Sequence, residues 1–120
     1  MSLYRRLGGY DVIAAVIEEL FTNLRADPAF ARFGSGRSQD SQLRSQQLLV
    51  EQMCELAGGP CHYTGRDMKT SHAGLAISAA EWDANMKYAT AALVKSGVRE
   101  PERTEFRALF ERYRADIVEA

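Results

Sequence analysis

Apolar residues recur at three- and four-residue steps through most of the chain, and no segment alternates apolar and polar residues with a period of two. Such spacing places apolar side chains on one face of a helix, whereas alternation would predict strands. The broadest face follows the glycine pair near the N-terminus and comprises Val12, Ile13, Val16, Ile17, Leu20, Phe21 and Leu24. We therefore predict an all-α protein, and its 120 residues fit one domain, 1–120.

Capping residues, glycines and prolines set the expected helix boundaries in the first half of the chain. Asp11 is expected to cap the first long helix, and Asp27-Pro28 to end it and begin a short segment. The polar, glycine-bearing stretch 34–41 predicts a loop before a second long helix over 41–57. Gly58-Gly59-Pro60 should end that helix, because glycine suits a left-handed C-terminal position and proline cannot continue it.

The second half of the chain predicts three further helices. A short one over 66–75 carries a histidine, His72, on its apolar side. Ser78 and Glu81 have the spacing of a capping box, which predicts the start of a helix running to Gly97. Pro101 is expected to open the last helix, whose apolar face comprises Phe106, Leu109, Phe110, Tyr113 and Ile117.

Basic and acidic side chains are nearly balanced, with 15 and 16 residues and a net charge of -1. Even the most basic stretch, 99–114, is interrupted by glutamates, which is typical of a solvated helix face. Without a basic stripe to hold a phosphate backbone, we expect no nucleic-acid partner. No apolar run reaches the roughly 18 residues of a membrane span, and the N-terminus does not resemble a signal peptide. We expect a cytoplasmic protein.

The two cysteines do not predict a disulfide framework in a chain of this length, and a reducing compartment fits them. We expect Cys54 to pack as a small hydrophobe, and Cys61 either to be buried likewise or to be a thiol near the surface. A small zinc-binding domain is an alternative, because Cys54, Cys61, His62 and His72 could supply four ligands. Their spacing matches no common zinc motif.

His72, taken by itself, is more often a hydrogen-bonded core histidine than a metal ligand. The sequence around it changes that judgement. It contains Gly58-Gly59-Pro60, then Tyr63-Thr64-Gly65-Arg66-Asp67-Met68-Lys69, then His72-Ala73-Gly74-Leu75 with Ile77. These segments, in this spacing, closely resemble the group I truncated haemoglobins. The resemblance extends to residues 3–9 and 24–28 and spans roughly residues 3–97 in register.

This resemblance implies a two-over-two helical sandwich around a b-type haem, with His72 as the proximal iron ligand. It also implies a set of haem-lining side chains: Phe33, Leu49, Met53, Tyr63, Met68, Ile77, Trp82 and Met86. The last five of these could equally be ordinary core. Lys69 and Arg66 flank the histidine, and they either pair with the haem propionates or are surface charges.

The distal side departs from the family pattern. The family's second helix often supplies a tyrosine that hydrogen-bonds the bound ligand, and that position is Phe21 here. On the long helix, Leu49 stands where many relatives carry glutamine, and Ser45 stands at the gate position. Gln46 is a candidate for the missing donor, whereas we expect Gln47 to face solvent. The predicted distal pocket is more apolar than usual and comprises Phe21, Phe33, Ser45, Gln46, Leu49 and Met53.

The function implied by the resemblance is reversible binding of a diatomic gas (O2, NO or CO), with oxygen transport among the roles of such a protein. The catalytic activity that the resemblance implies is conversion of NO and O2 to nitrate, which needs electrons from an external reductase. Weak peroxidase activity is chemically possible at any open haem. The alternative from another class, besides the zinc domain, is a cofactor-free helical interaction domain in which Trp82, Phe106 and Tyr113 are core only.

Overall fold

A computed structural model describes residues 1–34 and 36–119; Ser35, in the predicted loop, and Ala120 lie outside the described residues. The helices are α1 (Leu3–Leu7), α2 (Tyr10–Ala26), a 3-10 turn (Pro28–Phe30) leading into α3 (Ala31–Gly34), α4 (Gln39–Leu56), α5 (Met68–His72), α6 (Ala79–Lys95), α7 (Glu102–Glu111) and α8 (Arg114–Ile117). Within the described ranges the chain forms no strand, only an isolated bridge between Ile77 and Val118. The all-α prediction is confirmed.

The long helices form two stacked pairs, α2 with α4 and α6 with α7, and α2 lies at the contact between the pairs. It packs against α4 on one side and α6 on another, and α7 packs on α6. Its predicted apolar face is almost completely buried at Ile13, Val16, Ile17 and Leu20. Burial of one such aliphatic side chain contributes about 1.5–3 kcal/mol, so this face contributes substantially to tertiary stability. The other buried core residues include Val50, Met53, Ala89, Ala92, Leu93 and Phe106.

The start of α2 differs from the prediction. Gly9, with φ 88°, occupies the N-cap position, and Asp11 is an exposed residue of the first turn. The hydroxyl of Tyr4 accepts the backbone N–H of Tyr10 at 3.1 Å and does part of the capping that was expected of the aspartate. The prediction was wrong because α1 folds back onto the start of α2. Asp11 still favours the helix through its charge near the N-terminus.

α4 begins two residues earlier than predicted, at Gln39, because the side chain of Ser38 accepts the backbone N–H of Ser41 at 3.1 Å. It ends at Leu56, one residue before the predicted end. Gly58 follows with φ 93°, a conformation that side chains with a Cβ rarely adopt, and this confirms the predicted glycine stop.

α5 is much shorter than the predicted helix over 66–75. Asp67 caps it, and its carboxylate accepts the backbone N–H of Thr70 at 2.6 Å. Ala73 leaves the helix with ψ 133° immediately after His72. The histidine is therefore the last helical residue, and the chain beyond it forms an irregular connection to α6.

The capping box of α6 is confirmed: the Ser78 hydroxyl accepts the Glu81 N–H at 3.0 Å, and the Glu81 carboxylate accepts the Ser78 N–H at 2.9 Å. The prediction of a single C-terminal helix was wrong. The chain leaves helical geometry at Tyr113, where φ is -102°, and α8 then buries Ile117. The bend brings the C-terminal residues beside the connection between α5 and α6, a contact that the apolar periodicity of the segment does not reveal.

Cys54 and Cys61 are joined by a disulfide, so the expectation of two unpaired cysteines was wrong. The cause is the reversal of the chain at the glycine pair after α4, which brings their Cα atoms to 5.7 Å, within the usual range for a disulfide. Cys54 is completely buried, as predicted. None of the described helices combines the length and the apolarity needed to cross a membrane.

Candidate functional site

His72 has the geometry of a preoriented ligand. Its Nδ1 lies 2.9 Å from the carbonyl oxygen of Met68 and 2.9 Å from the hydroxyl of Ser71. A carbonyl oxygen can only accept, so the bond to Met68 places the ring proton on Nδ1. The lone pair is then on Nε2, which has no hydrogen-bond partner within the described part of the chain. A neutral imidazole held by a carbonyl at one nitrogen and free at the other is a typical metal ligand.

The cap of α5 fixes the backbone that carries this histidine. The hydrogen bonds from Thr70 hold the pKa of the Asp67 carboxyl below its usual value, so the cap is charged at neutral pH. Tyr63, five residues before the start of α5, donates its hydroxyl to the carbonyl of Arg66 at 2.5 Å. Burial raises the pKa of this phenol, which therefore acts as a neutral donor. Tyr63 is thus anchored to the segment leading into α5.

The predicted lining residues fall into two groups. Met53, Trp82 and Met86 are buried, with 1–5% of their surface exposed. The others are partly exposed and come from different elements: Phe21, Phe33, Leu49, Met68 and Ile77. All of the latter except Phe33 pack against the single core cluster. Phe33 instead lies 5.9 Å from Phe30, between ring centroids.

The buried indole of Trp82 is notable because its Nε1 has no acceptor among the described residues. An unpaired buried N–H costs free energy, and a buried polar group without a partner calls for an explanation.

Lys69 and Arg66, the two candidate partners of haem propionates, are both exposed.

Ser45, at the predicted gate, takes part in a polar network on α4. Its hydroxyl accepts from Arg37 at 2.5 Å and donates to the carbonyl of Ser41 at 3.2 Å. Gln46 is half-buried, whereas Gln47 is exposed, as predicted, and its amide donates to the Tyr10 hydroxyl at 2.7 Å. Sequence reasoning missed Arg37, because no local signal shows that an arginine in a polar loop turns back along the helix that follows.

The zinc alternative loses its ligands. The two sulfurs are bonded to each other, and the His62 side chain is 90% exposed, with its Nδ1 3.5 Å from a carboxylate oxygen of Glu55. Across residues 1–34 and 36–119, no group of three or more potential ligand side chains comes together. An open groove of about 530 Å³ between α6 and α7 shares only Met86 with the predicted lining.

Comparison with known proteins agrees with this geometry. The profile of the bacterial-like globin family matches residues 2–119. A group 1 truncated haemoglobin from Tetrahymena pyriformis is 26% identical over 117 residues, covering 98% of this chain and 94% of that protein. One from Mycolicibacterium paratuberculosis is 31% identical over 97 residues, 81% of this chain and 69% of its relative. Another, from Nostoc, is also 31% identical over 97 residues, with coverage of 81% and 80%.

Solved structures show the same fold. A crystal structure of a mutant truncated haemoglobin from Tetrahymena pyriformis, in the Fe(III) form, superposes over 100% of both chains with a TM-score of 0.89 and 25% identity. The 2/2 haemoglobin from Synechococcus, in the cyanomet state with covalently attached haem, covers 98% of both chains with a TM-score of 0.86. At 21% identity the latter is a likeness of fold alone.

Proposed function

The chain belongs to the bacterial-like globins, as a group 1 truncated haemoglobin, and from that premise we propose that it holds a b-type haem through His72 and reversibly binds a diatomic gas. The observation that carries the proposal is the hydrogen bond from Nδ1 of His72 to the Met68 carbonyl, which leaves Nε2 free. Bound haem would supply the chemistry, because a ferrous iron with one histidine ligand can take O2, NO or CO at its open position.

The remaining residues suit a flat apolar group with acidic edges. α4 packs on α2 and α5 packs on α8, which leaves the partly exposed Leu49 and Met68 on the two helices that would flank the ring. The Trp82 N–H is a buried donor that a haem carboxylate could satisfy, and the exposed Lys69 could reach the second carboxylate. These residues would bind the ring, orient it and keep water from it.

The distal residues would offer a bound gas little hydrogen bonding. Phe21 and Leu49 have no donor, and the Ser45 hydroxyl already donates to Ser41. The half-buried Gln46 is the remaining candidate donor among the predicted distal residues. Because a distal donor stabilises O2 more than CO, we propose fast oxygen release and a preference for CO and NO. An O2 dissociation that is slow, and that does not change in Gln46→Ala, would contradict this pocket.

Two finer points stay predictions. Conversion of NO to nitrate and peroxidase activity both need an external reductant, and no described residue favours them over simple binding. A cytoplasmic location also stays a prediction, and the disulfide provides its test. Alkylation under denaturing conditions, after rapid acid quenching of the cells, would find free thiols in a reducing compartment and a protected pair elsewhere.

The decisive experiment compares His72→Ala with His62→Ala after expression with added haem. The wild type should show a Soret band at one haem per chain, and His72→Ala should lose haem to a scavenging apoprotein about tenfold faster or more. Added imidazole should restore the spectrum of His72→Ala, because it can occupy the vacated position. His62→Ala should behave as the wild type, since this side chain is 90% exposed.

Two results would count against the proposal. A colourless wild type after haem supplementation would refute haem binding. Equal haem loss from the wild type and His72→Ala would refute ligation by this histidine while leaving haem binding in place.

A further inference from the structure

The connection after His72 has a backbone that must be held in place. Gly74 and Ala76 both have positive φ values, 81° and 52°. An alanine in that region is strained and persists only where surrounding contacts determine its conformation. The exposed side chains of the connection bury little surface, so those contacts must be made to its backbone.

Glu119 holds the N–H groups of this connection. One carboxylate oxygen accepts from Gly74 at 3.1 Å, and the other accepts from Ala76 at 2.9 Å. The backbone N–H of Glu119 also donates to the carbonyl of Ile77 at 2.9 Å, beside the bridge between Ile77 and Val118. The hydrogen bonds from Gly74 and Ala76 keep the pKa of this carboxyl below its usual value, so it is ionised at neutral pH.

Arg32, from the first half of the chain, holds the carbonyl groups of the same connection. Its guanidinium donates to the carbonyls of Leu75 at 2.7 Å and Ala76 at 3.3 Å. It also donates to both oxygens of Glu81, at 2.8 and 3.0 Å, and so joins the capping box of α6. The same guanidinium lies 4.0 Å from the ring centroid of Phe33, a predicted distal lining residue. Such a planar fork can contact a carboxylate, carbonyls and an aromatic face at once.

We infer that Arg32 and Glu119 form a clamp on residues 74–76 that sets the position of His72 relative to the distal Phe33. This inference rests on the proposed function, because it gives the clamp a role at the iron. The two side chains act on His72 through the connection, as positioning residues and not as ligands. Because Arg32 also contacts the ring of Phe33, the clamp links the proximal and distal sides of the haem site.

A purely structural clamp would stabilise the fold without changing the proximal bond, and the test must separate the two roles. We would compare Glu119→Gln and Arg32→Gln in the full haem-loaded chain, with Arg32→Lys as the conservative variant. Matched controls are Arg6→Gln, which breaks an ion pair with Glu105, and Glu19→Gln, which breaks one with Lys95. Both control pairs are exposed and lie away from the connection.

Two readouts are needed. Amide hydrogen exchange should be about tenfold faster at Gly74 and Ala76 in Glu119→Gln, because an amide is a weaker acceptor than a carboxylate. The iron–histidine stretching band of the ferrous, gas-free protein should shift or broaden in Glu119→Gln and Arg32→Gln. Arg32→Lys should recover little, since lysine lacks the fork, and the controls should match the wild type in both readouts.

Three outcomes would overturn the inference. Unchanged exchange at Gly74 and Ala76 would show that Glu119 does not hold the connection in solution. Faster exchange with an unchanged iron–histidine band would show that the clamp stabilises the connection but does not position His72. Equal shifts in the Arg6 and Glu19 controls would show a general effect of lost charge. A wild type without a Soret band would refute the proposed function. Amide hydrogen exchange at Gly74 and Ala76 in that chain would still show whether Glu119 holds the connection.

Discussion

At the scale of single residues, Phe21 shows how little change is needed to alter a gas-binding site. It lies half-buried on α2 and packs against the core cluster, at the position where the family resemblance expects a tyrosine. The two side chains differ by one hydroxyl, so the fold tolerates either of them. What changes is the number of hydrogen-bond donors available to a ligand beside α2.

Phe21→Tyr should therefore slow oxygen dissociation about tenfold or more, because a hydrogen bond to a partly charged ligand contributes about 1–3 kcal/mol. CO dissociation should change much less. Stopped-flow measurement of both rates would check this. Unaltered oxygen release in a haem-loaded Phe21→Tyr protein would place the side chain away from the ligand.

At the scale of elements, the end of α4 is determined by three features at once. The glycine pair ends the helix, the chain reverses, and Cys61 returns to form a disulfide with Cys54. A Cβ added to Gly59 would lie 2.7 Å from the Cys54 sulfur and 2.5 Å from the ring of Tyr4. The glycine is therefore required by close packing of the reversal, and α1 is part of that packing.

Reduction of this disulfide should lower the free energy of unfolding by about 2–3 kcal/mol, the chain-entropy value for so short a loop. Cys61→Ala should lose the same amount, and a dithiol reductant should have no further effect on it. Urea denaturation with and without the reductant would measure both. A wild type whose unfolding midpoint ignores the reductant would contradict the assigned contribution.

At the scale of the whole molecule, polar contacts between distant segments hold the short α3 region to α6. The hydroxyl of Tyr88 donates to the carboxylate of Asp27 at 2.6 Å, across 61 positions of sequence. The ring of Phe30 packs edge-on against Tyr88, with 6.4 Å between ring centroids. With the pair between Arg32 and Glu81, these contacts fix the segment that carries Phe33.

This contact predicts a pH dependence of stability. The hydrogen bond from Tyr88 holds the pKa of Asp27 below its usual 3.8. A carboxyl with a lower pKa in the folded state stabilises the fold fully above 3.8, and its contribution is lost as the pH falls through the lowered value. Tyr88→Phe should therefore weaken the fall in stability between about pH 5 and about pH 2. Urea unfolding across that range would measure it, and identical pH profiles for both proteins would contradict the prediction.

Much of the fold follows from the sequence because its signals are local. The buried face of α2, the glycine stop after α4 and the capping box of α6 each depend on residues within about one helical turn of one another. His72, on a short helix after a glycine pair, also belongs to this local information. The family assignment rests on the same segments.

The tertiary structure decided what depends on distant segments meeting. The Tyr4 hydroxyl replaces Asp11 at the start of α2, and the bend at Tyr113 divides the last predicted helix. The clamp joins Arg32 and Glu119 to a connection more than 40 positions away from either of them. Periodicity and capping rules cannot predict such contacts, because loop directions set them. The sequence by itself determined the long helices α2, α4 and α6 and the candidate ligand, and the packing of the helices decided which side chains hold that ligand in place.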